Sequence, residues 1–219
     1  MNAFHQDDDP LITSITTYIR EYMSNYDASH DFSHIERVVG LAHHIYARSS
    51  PELQSQLDLR VIHLSALLHD VGDRKYLKEG EDGSTMIRDI LIAKGADADL
   101  AQAVQTICLG VSYSSEVKDP GHVATLIGQH RELAVVQDAD RLDAIGAVGI
   151  GRLFTYGGAR TTRSMAGSVA HIDEKLLKLE GMMKTEVGRQ LARERTERLR
   201  VFKGWWQDEV AFSTSVGTS

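Results

Sequence analysis

Val61-Ile62-His63-Leu64-Ser65-Ala66-Leu67-Leu68-His69-Asp70-Val71-Gly72-Asp73 decides how the chain is read. An apolar run with helical spacing ends in a histidine joined directly to an aspartate. Ionised groups stay out of apolar interiors unless they are paired or bound to metal. A His-Asp pair at the end of a buried helix therefore needs a partner, and a divalent cation is the most economical one. Imidazole nitrogen and carboxylate oxygen together suit zinc, iron, manganese or similar ions. Asp73 lies three residues beyond Asp70, so both carboxylates face one side if the helical turn continues. One can bind metal while the other orients a water. Arg74-Lys75 then places two cations beside them, or two solvated loop charges.

Further donors are needed to turn a dipeptide into a site, and two other stretches supply them. In Ser29-His30-Asp31-Phe32-Ser33-His34-Ile35-Glu36-Arg37-Val38-Val39, Asp31 or Ser33 can cap a helix reaching about Arg48. His34 and Arg37 share a face of it, so a histidine can reach a metal while the arginine reaches an anion or a carboxylate. His30, His43 and His44 read as ordinary loop and surface histidines. In Val135-Val136-Gln137-Asp138-Ala139-Asp140-Arg141-Leu142-Asp143-Ala144-Ile145 the apolar spacing is helical and predicts burial. Buried carboxylates need cations. Asp138, Asp140 and Asp143 cannot all face one way. One faces a metal, and the others cap, pair with Arg141 or fix the tautomer of a ligand histidine.

Composition narrows the class. The 219 residues are 42% hydrophobic, which suits one compact domain. Net charge is −7, which disfavours a general nucleic-acid binder but allows a small anionic substrate. The single cysteine, Cys108, excludes an intramolecular disulfide and a cysteine-rich zinc site, and suits a reducing, cytoplasmic setting. Met1 to Pro10 is polar and acidic and reads as neither secretory signal nor transit peptide. No apolar run approaches the roughly 20 residues that span a bilayer.

The remaining chain reads as helices with few interruptions. Asp9-Pro10 is a cap followed by a first-turn proline. Residues 1–9 are expected to be flexible, 10–212 to form one domain, and 213–219 to form a frayed tail. Pro51 closes one helical region. Asp82 or Ser84 caps a helix stopped at Gly95, and Asp97 caps the next. Ser112 to His122, with Pro120-Gly121, reads as a loop. Gly146, Gly149 and Gly151 suggest close packing, while Tyr156-Gly157-Gly158 suggests a flexible loop or lid. It is no phosphate loop, because GxxxxGK[ST] is absent. Ser168 can cap a helix carrying His171 and Lys175. A last helix runs from about Thr185 to Phe212, with an exposed Arg-Glu face. Its Trp205 and Trp206 can pack internally or across a homodimer.

Taken in order, His34, His69-Asp70 and Asp140 give the pattern H…HD…D on three helices. This pattern resembles the HD-domain superfamily of metal-dependent phosphohydrolases, and within it the YedJ/YpgQ-type branch. The carrying residues are His30-Asp31, His34 to Val38, Leu67 to Tyr76, and Gln137 to Gly146, with weaker matches at Phe154 to Gly158 and His171 to Leu179. The resemblance implies an all-α helical bundle around a central metal. It implies His34, His69, Asp70 and Asp140 as ligands, the last because the family's final ligand sits directly before a basic residue. It implies Asp73 as the group that aligns the attacking water, and Arg141 and Lys75 as catalytic cations on phosphate oxygens. Arg37, Lys175 and Tyr156 are further substrate-binding candidates. One divalent ion is implied, with manganese first and magnesium, cobalt, nickel or iron as alternatives. The implied substrate is a nucleotide, cut from triphosphate to monophosphate and pyrophosphate or hydrolysed as a phosphomonoester, with no membrane or stable nucleic-acid partner. Two other readings compete. Mixed-valent di-iron oxygenases share the fold but use extra histidines, for which only His122 and His130 are available. A nucleotide sensor without turnover is the third.

Overall fold

The computed structural model describes residues 9–24, 26–27, 29–72, 77 and 82–212, and the two expected flexible ends fall almost wholly outside them. The described residues form twelve α-helices and no strand. In order these are α1 (Pro10–Met23), α2 (Phe32–Arg48), α3 (Pro51–Gln54), α4 (Leu59–Leu68), α5 (Met86–Ala93), α6 (Ala98–Val111), α7 (Tyr113–Lys118), α8 (Pro120–Gln129), α9 (Glu132–Asp143), α10 (Gly146–Arg160), α11 (Met165–Glu174) and α12 (Glu186–Val210), with a 3₁₀ segment at Leu176–Met182 before α12.

Local chemistry explains most boundaries. Asp9, Asp31, Asp58 and Asp97 each accept backbone N–H bonds that a helix start would leave unpaired. Pro10 and Pro51 stand in first turns, where no N–H is missed. α2, α4 and α9 pack on one another, with α6 against α4 and α9. Ile35, Val38, Ala42 and Ile45 of α2 meet Ile62, Leu64 and Leu68 of α4 and Val136, Ala139 and Leu142 of α9 in one buried core. Every residue of α4 from Ile62 to Leu68 is buried, as expected for a helix at the centre of a bundle.

Three local expectations are corrected. Ser112 to His122 is not a loop: it holds α7 and the start of α8. Asp119-Pro120 repeats the cap-plus-proline start of α1, and the Asp119 carboxylate accepts from His122 N at 2.9 Å. Nor is Tyr156-Gly157-Gly158 a loop or lid, since α10 runs through it to Arg160. A Cβ on Gly157 would collide with Ser168 Oγ of α11, so this glycine serves close helix contact. Ser168 is accordingly buried inside α11, and Ser164 caps that helix by accepting from Gly167 N.

The last helix packs mainly inward. Trp206 lies 6.1 Å from Phe154 and 6.5 Å from Phe202 between ring centroids, whereas Trp205 is exposed. No described helix is long and apolar enough to cross a membrane.

Candidate metal centre

Three elements bring their polar residues to one point in the core. His34 sits in the first turn of α2, fixed there by Asp31, which accepts its backbone N–H. His69 ends α4, and Asp70 follows it. Asp140 projects from the last turn of α9. His34 Nε2 and His69 Nε2 are 3.2 Å apart. Asp70 Oδ2 lies 3.3 Å from His34 Nε2, and Asp70 Oδ1 lies 3.6 Å from His69 Nε2. Asp140 Oδ1 is 3.7 Å from both nitrogens. His34, His69 and Asp70 each present one donor atom within 4.8 Å of the others.

The other nitrogen of each ring explains why this point attracts a cation. His34 Nδ1 is 2.8 Å from Asp143 Oδ2, and His69 Nδ1 is 2.8 Å from the carbonyl of Ala66. Both partners are acceptors, so both Nδ1 atoms carry the proton and both Nε2 atoms present lone pairs. Two lone pairs facing each other at 3.2 Å beside two carboxylates repel unless a positive charge lies among them. Asp70 Oδ2 is buried without a well-formed hydrogen bond, which fits an oxygen meant for a metal. The electrostatics agree. Burial opposes a charged imidazole at His34, but the Asp143 and Asp70 carboxylates beside it outweigh that and its pKa is raised. Burial likewise opposes the Asp70 carboxylate, yet His69 and His34 hold it well below the usual range. The cage takes a proton or a cation, and its nitrogen and oxygen donors fit a borderline divalent ion.

A supporting shell holds the cage. Asp143, 1% exposed at its side chain, accepts from His34, from Arg37 Nε at 2.7 Å and Nη2 at 3.1 Å, and from Arg152 Nη1 at 3.0 Å. Arg152 also donates to the Ser29 carbonyl. Burial works against the Asp143 carboxylate, but the His34 and Arg37 hydrogen bonds push its pKa far down. On another side, the His30 ring stands 5.9 Å from His34 and 5.7 Å from Tyr156 between centroids. Burial pulls His30 down to a pKa of about 4.

The structure thus brings together the four expected ligand residues and sets Tyr156 at their margin through His30. Arg37 is adjacent but lies behind His34, on Asp143. Lys175 Nζ rests 4.7 Å over the Tyr113 ring. Arg141 is not directed at the cluster: it is 2% exposed, and its guanidinium is held by Glu116 and by the Met182 carbonyl. Successive residues of a helix diverge by about 100°, so the neighbour of Asp140 points elsewhere. Asp73 and Lys75 lie outside the described residues, as does Arg74. Asp138 caps α12, accepting from Lys184 N, Thr185 N and Thr185 Oγ1. His122 is exposed on α8 and takes no part in the cluster. Two residues beside the cage lie outside the expected site set: His30, read as an ordinary loop histidine, and Arg152. The signal for His30 was its place one turn before His34; Arg152 gave none beyond being a cation in a glycine-rich stretch.

The HD domain family model matches residues 31–145, from the cap of α2 to the second residue after α9. The chain belongs to the HD-domain family. The matched span of this HD domain contains all four cage residues and Asp143. The Bacillus subtilis protein YpgQ is 33% identical over 184 residues, covering 83% of this chain and 84% of YpgQ. The crystal structure of YpgQ in complex with ADP superposes with a TM-score of 0.70 at 31% identity, covering 90% of this chain and 97% of that one. The crystal structure of an HD-superfamily hydrolase from Bacillus thuringiensis gives a TM-score of 0.64 at 28% identity, covering 92% and 97%.

Proposed function

We propose that this protein is a metal-dependent phosphohydrolase acting on a nucleotide, with His34, His69, Asp70 and Asp140 holding one divalent ion. The observation that carries the reading is the pair of facing Nε2 lone pairs flanked by two carboxylates, with His34 oriented by a buried aspartate. When bound, a divalent ion such as manganese polarises a phosphoryl oxygen and lowers the pKa of water. Those four residues would hold the ion and leave room at it for water and substrate. Asp73, three residues beyond Asp70, takes the proton of the attacking water. Lys75 and Tyr156 hold phosphate oxygens, and Lys75 offsets charge that builds there. Asp143 keeps His34 in the tautomer that presents Nε2, with Arg37 and Arg152 holding Asp143 in turn. Arg141 is left out of this scheme, since it is spent on Glu116.

A nucleotide is favoured because YpgQ was crystallised with ADP. The proposed reaction cuts a (deoxy)nucleoside triphosphate to monophosphate and pyrophosphate. The test is phosphate and pyrophosphate release from a nucleotide panel with manganese, magnesium or cobalt, wild type against Asp70→Ala. Pyrophosphate from triphosphates, lost in the variant, is the expected result. Phosphate from monophosphates moves the reading to a nucleotidase. No release from any nucleotide by metal-loaded protein overturns it.

A further inference from the structure

A cleft of roughly 350 Å³ opens between α2, the end of α9, α10 and α12, and Asp143 lies at its inner wall. It is not the metal cage. Asp143 holds Nδ1 of His34, whereas the cage gathers at Nε2, so the cleft lies behind the ligand ring. Arg37, His44 and Arg195 bring positive or titratable groups to it, and Leu41, Val148 and Leu191 line the rest. Asp143, the one carboxylate in the lining, is already shared by His34, Arg37 and Arg152. Arg195 donates Nη1 to the Leu142 carbonyl at 2.6 Å and forms no ion pair among the described residues. A cleft with surplus positive charge in a chain of net charge −7 is a local feature that bulk composition does not explain. Val148, an apolar side chain in the lining, is 40% exposed. Gly40 opens the cleft further, since a Cβ there would meet no atom within 4 Å.

We propose that this cleft is a second ligand site, distinct from the metal centre, that takes a small organic phosphate. The phosphate lies between Arg195 and the outer edge of Arg37, and the organic body lies on Leu41, Val148 and Leu191. Guanidinium groups match phosphate oxygens in geometry and keep their charge at any working pH. The volume falls at the lower end of the range for small-molecule sites, enough for a nucleoside monophosphate rather than a larger cofactor. Such a ligand reaches the metal centre through one residue. Arg37 and His34 share Asp143, so an anion that engages Arg37 alters the carboxylate that orients His34, and the two binding events are linked reciprocally. The proposal rests on the cleft itself and does not require the reaction assigned above.

The test is calorimetric titration of the full, manganese-loaded chain with adenosine monophosphate and, separately, with inorganic phosphate. Gly40→Leu fills the cleft from a helix position where leucine is favoured over glycine, so folding is retained. Arg195→Gln removes a cation of the cleft by another route, and Asp70→Ala disables the cage. The expected result is a monophosphate site that survives Asp70→Ala and weakens roughly ten-fold or more in both Gly40→Leu and Arg195→Gln. A site lost only in Asp70→Ala, or no site at all, overturns the proposal. Inorganic phosphate binding as tightly as the nucleotide overturns the part assigned to the apolar wall.

Discussion

Replacing Asp143 by asparagine tests the architecture of the centre more directly than removing a ligand. The substitution keeps shape and one acceptor oxygen but deletes the charge on which His34, Arg37 and Arg152 converge. Removing one partner of a buried ionic network costs about 3–5 kcal/mol. Arg37 is 35% exposed and can recover hydration, which places the cost near the low end, about 3 kcal/mol. In a chain of this size that lowers Tm by roughly 6–12 °C. The second effect is on metal. Asparagine can turn its amide toward His34 Nδ1 and favour the wrong tautomer, and supporting residues of this kind are worth roughly 10–100-fold in metal affinity. Thermal melts in chelator and manganese titration by electron paramagnetic resonance read the two effects separately. Arg152→Gln is the control: it keeps the His34–Asp143 bond, so it should cost stability with only a small change in manganese affinity. Asp143→Asn with wild-type manganese affinity would refute the orienting role, and an unchanged Tm in chelator would refute the network.

Three further outcomes follow from the same geometry. His63 is 3% exposed, its Nδ1 is 3.0 Å from His43 Nε2, and burial, with His43 adding to it, lowers its pKa from 6.5 to about 4. The unfolded chain therefore takes up this proton first as pH falls, and stability is lost progressively between pH 6.5 and 4. The full loss is about 3 kcal/mol, and His63→Gln should flatten that part of the stability-pH curve measured by urea unfolding. Identical pH slopes in the two proteins would sink the argument. Asp138→Ala removes the acceptor for the half-buried Lys184 N–H, the buried Thr185 N–H and the Thr185 hydroxyl at the start of α12. It should cost about 3 kcal/mol and leave manganese affinity unchanged; an equal loss of metal binding would contradict the division of labour among the α9 aspartates. Chelation should lower Tm, because a ligand held at 100 times its Kd stabilises by about 2.7 kcal/mol. Asp70→Ala should be insensitive to chelator, and an equal response in both proteins would place the stabilising ion elsewhere.

The polar residues of the cage were legible because they violate the apolar pattern around them. His69-Asp70 at the end of α4 and the aspartates inside α9 are costly unless partnered, and that demand is visible without a structure. What α9 does with three carboxylates is not fixed by its sequence, for a geometric reason. From Asp138 to Asp140 the helix turns about 200°, and from Asp140 to Asp143 about 300°, so the three point in three directions. Periodicity gives their relative angles, but the neighbour each one meets is set by packing. Asp138 meets the start of α12, Asp140 meets the histidines and Asp143 meets α2. Arg141, which the resemblance implies as a catalytic cation, follows Asp140 in sequence but stands about 100° round the helix, where Glu116 and the Met182 carbonyl hold it. The two segments read as loops failed differently. Pro120 and Gly157-Gly158 read as breakers, yet a proline after an aspartate opens a helix, and a glycine at a crossing point lets one helix approach another. Both residue types carry opposite meanings at different positions, and only Asp119 before Pro120 was available in the sequence to separate them. For Gly157 the deciding residue is Ser168, eleven positions along and on another helix, and nothing local to the glycine could have named it.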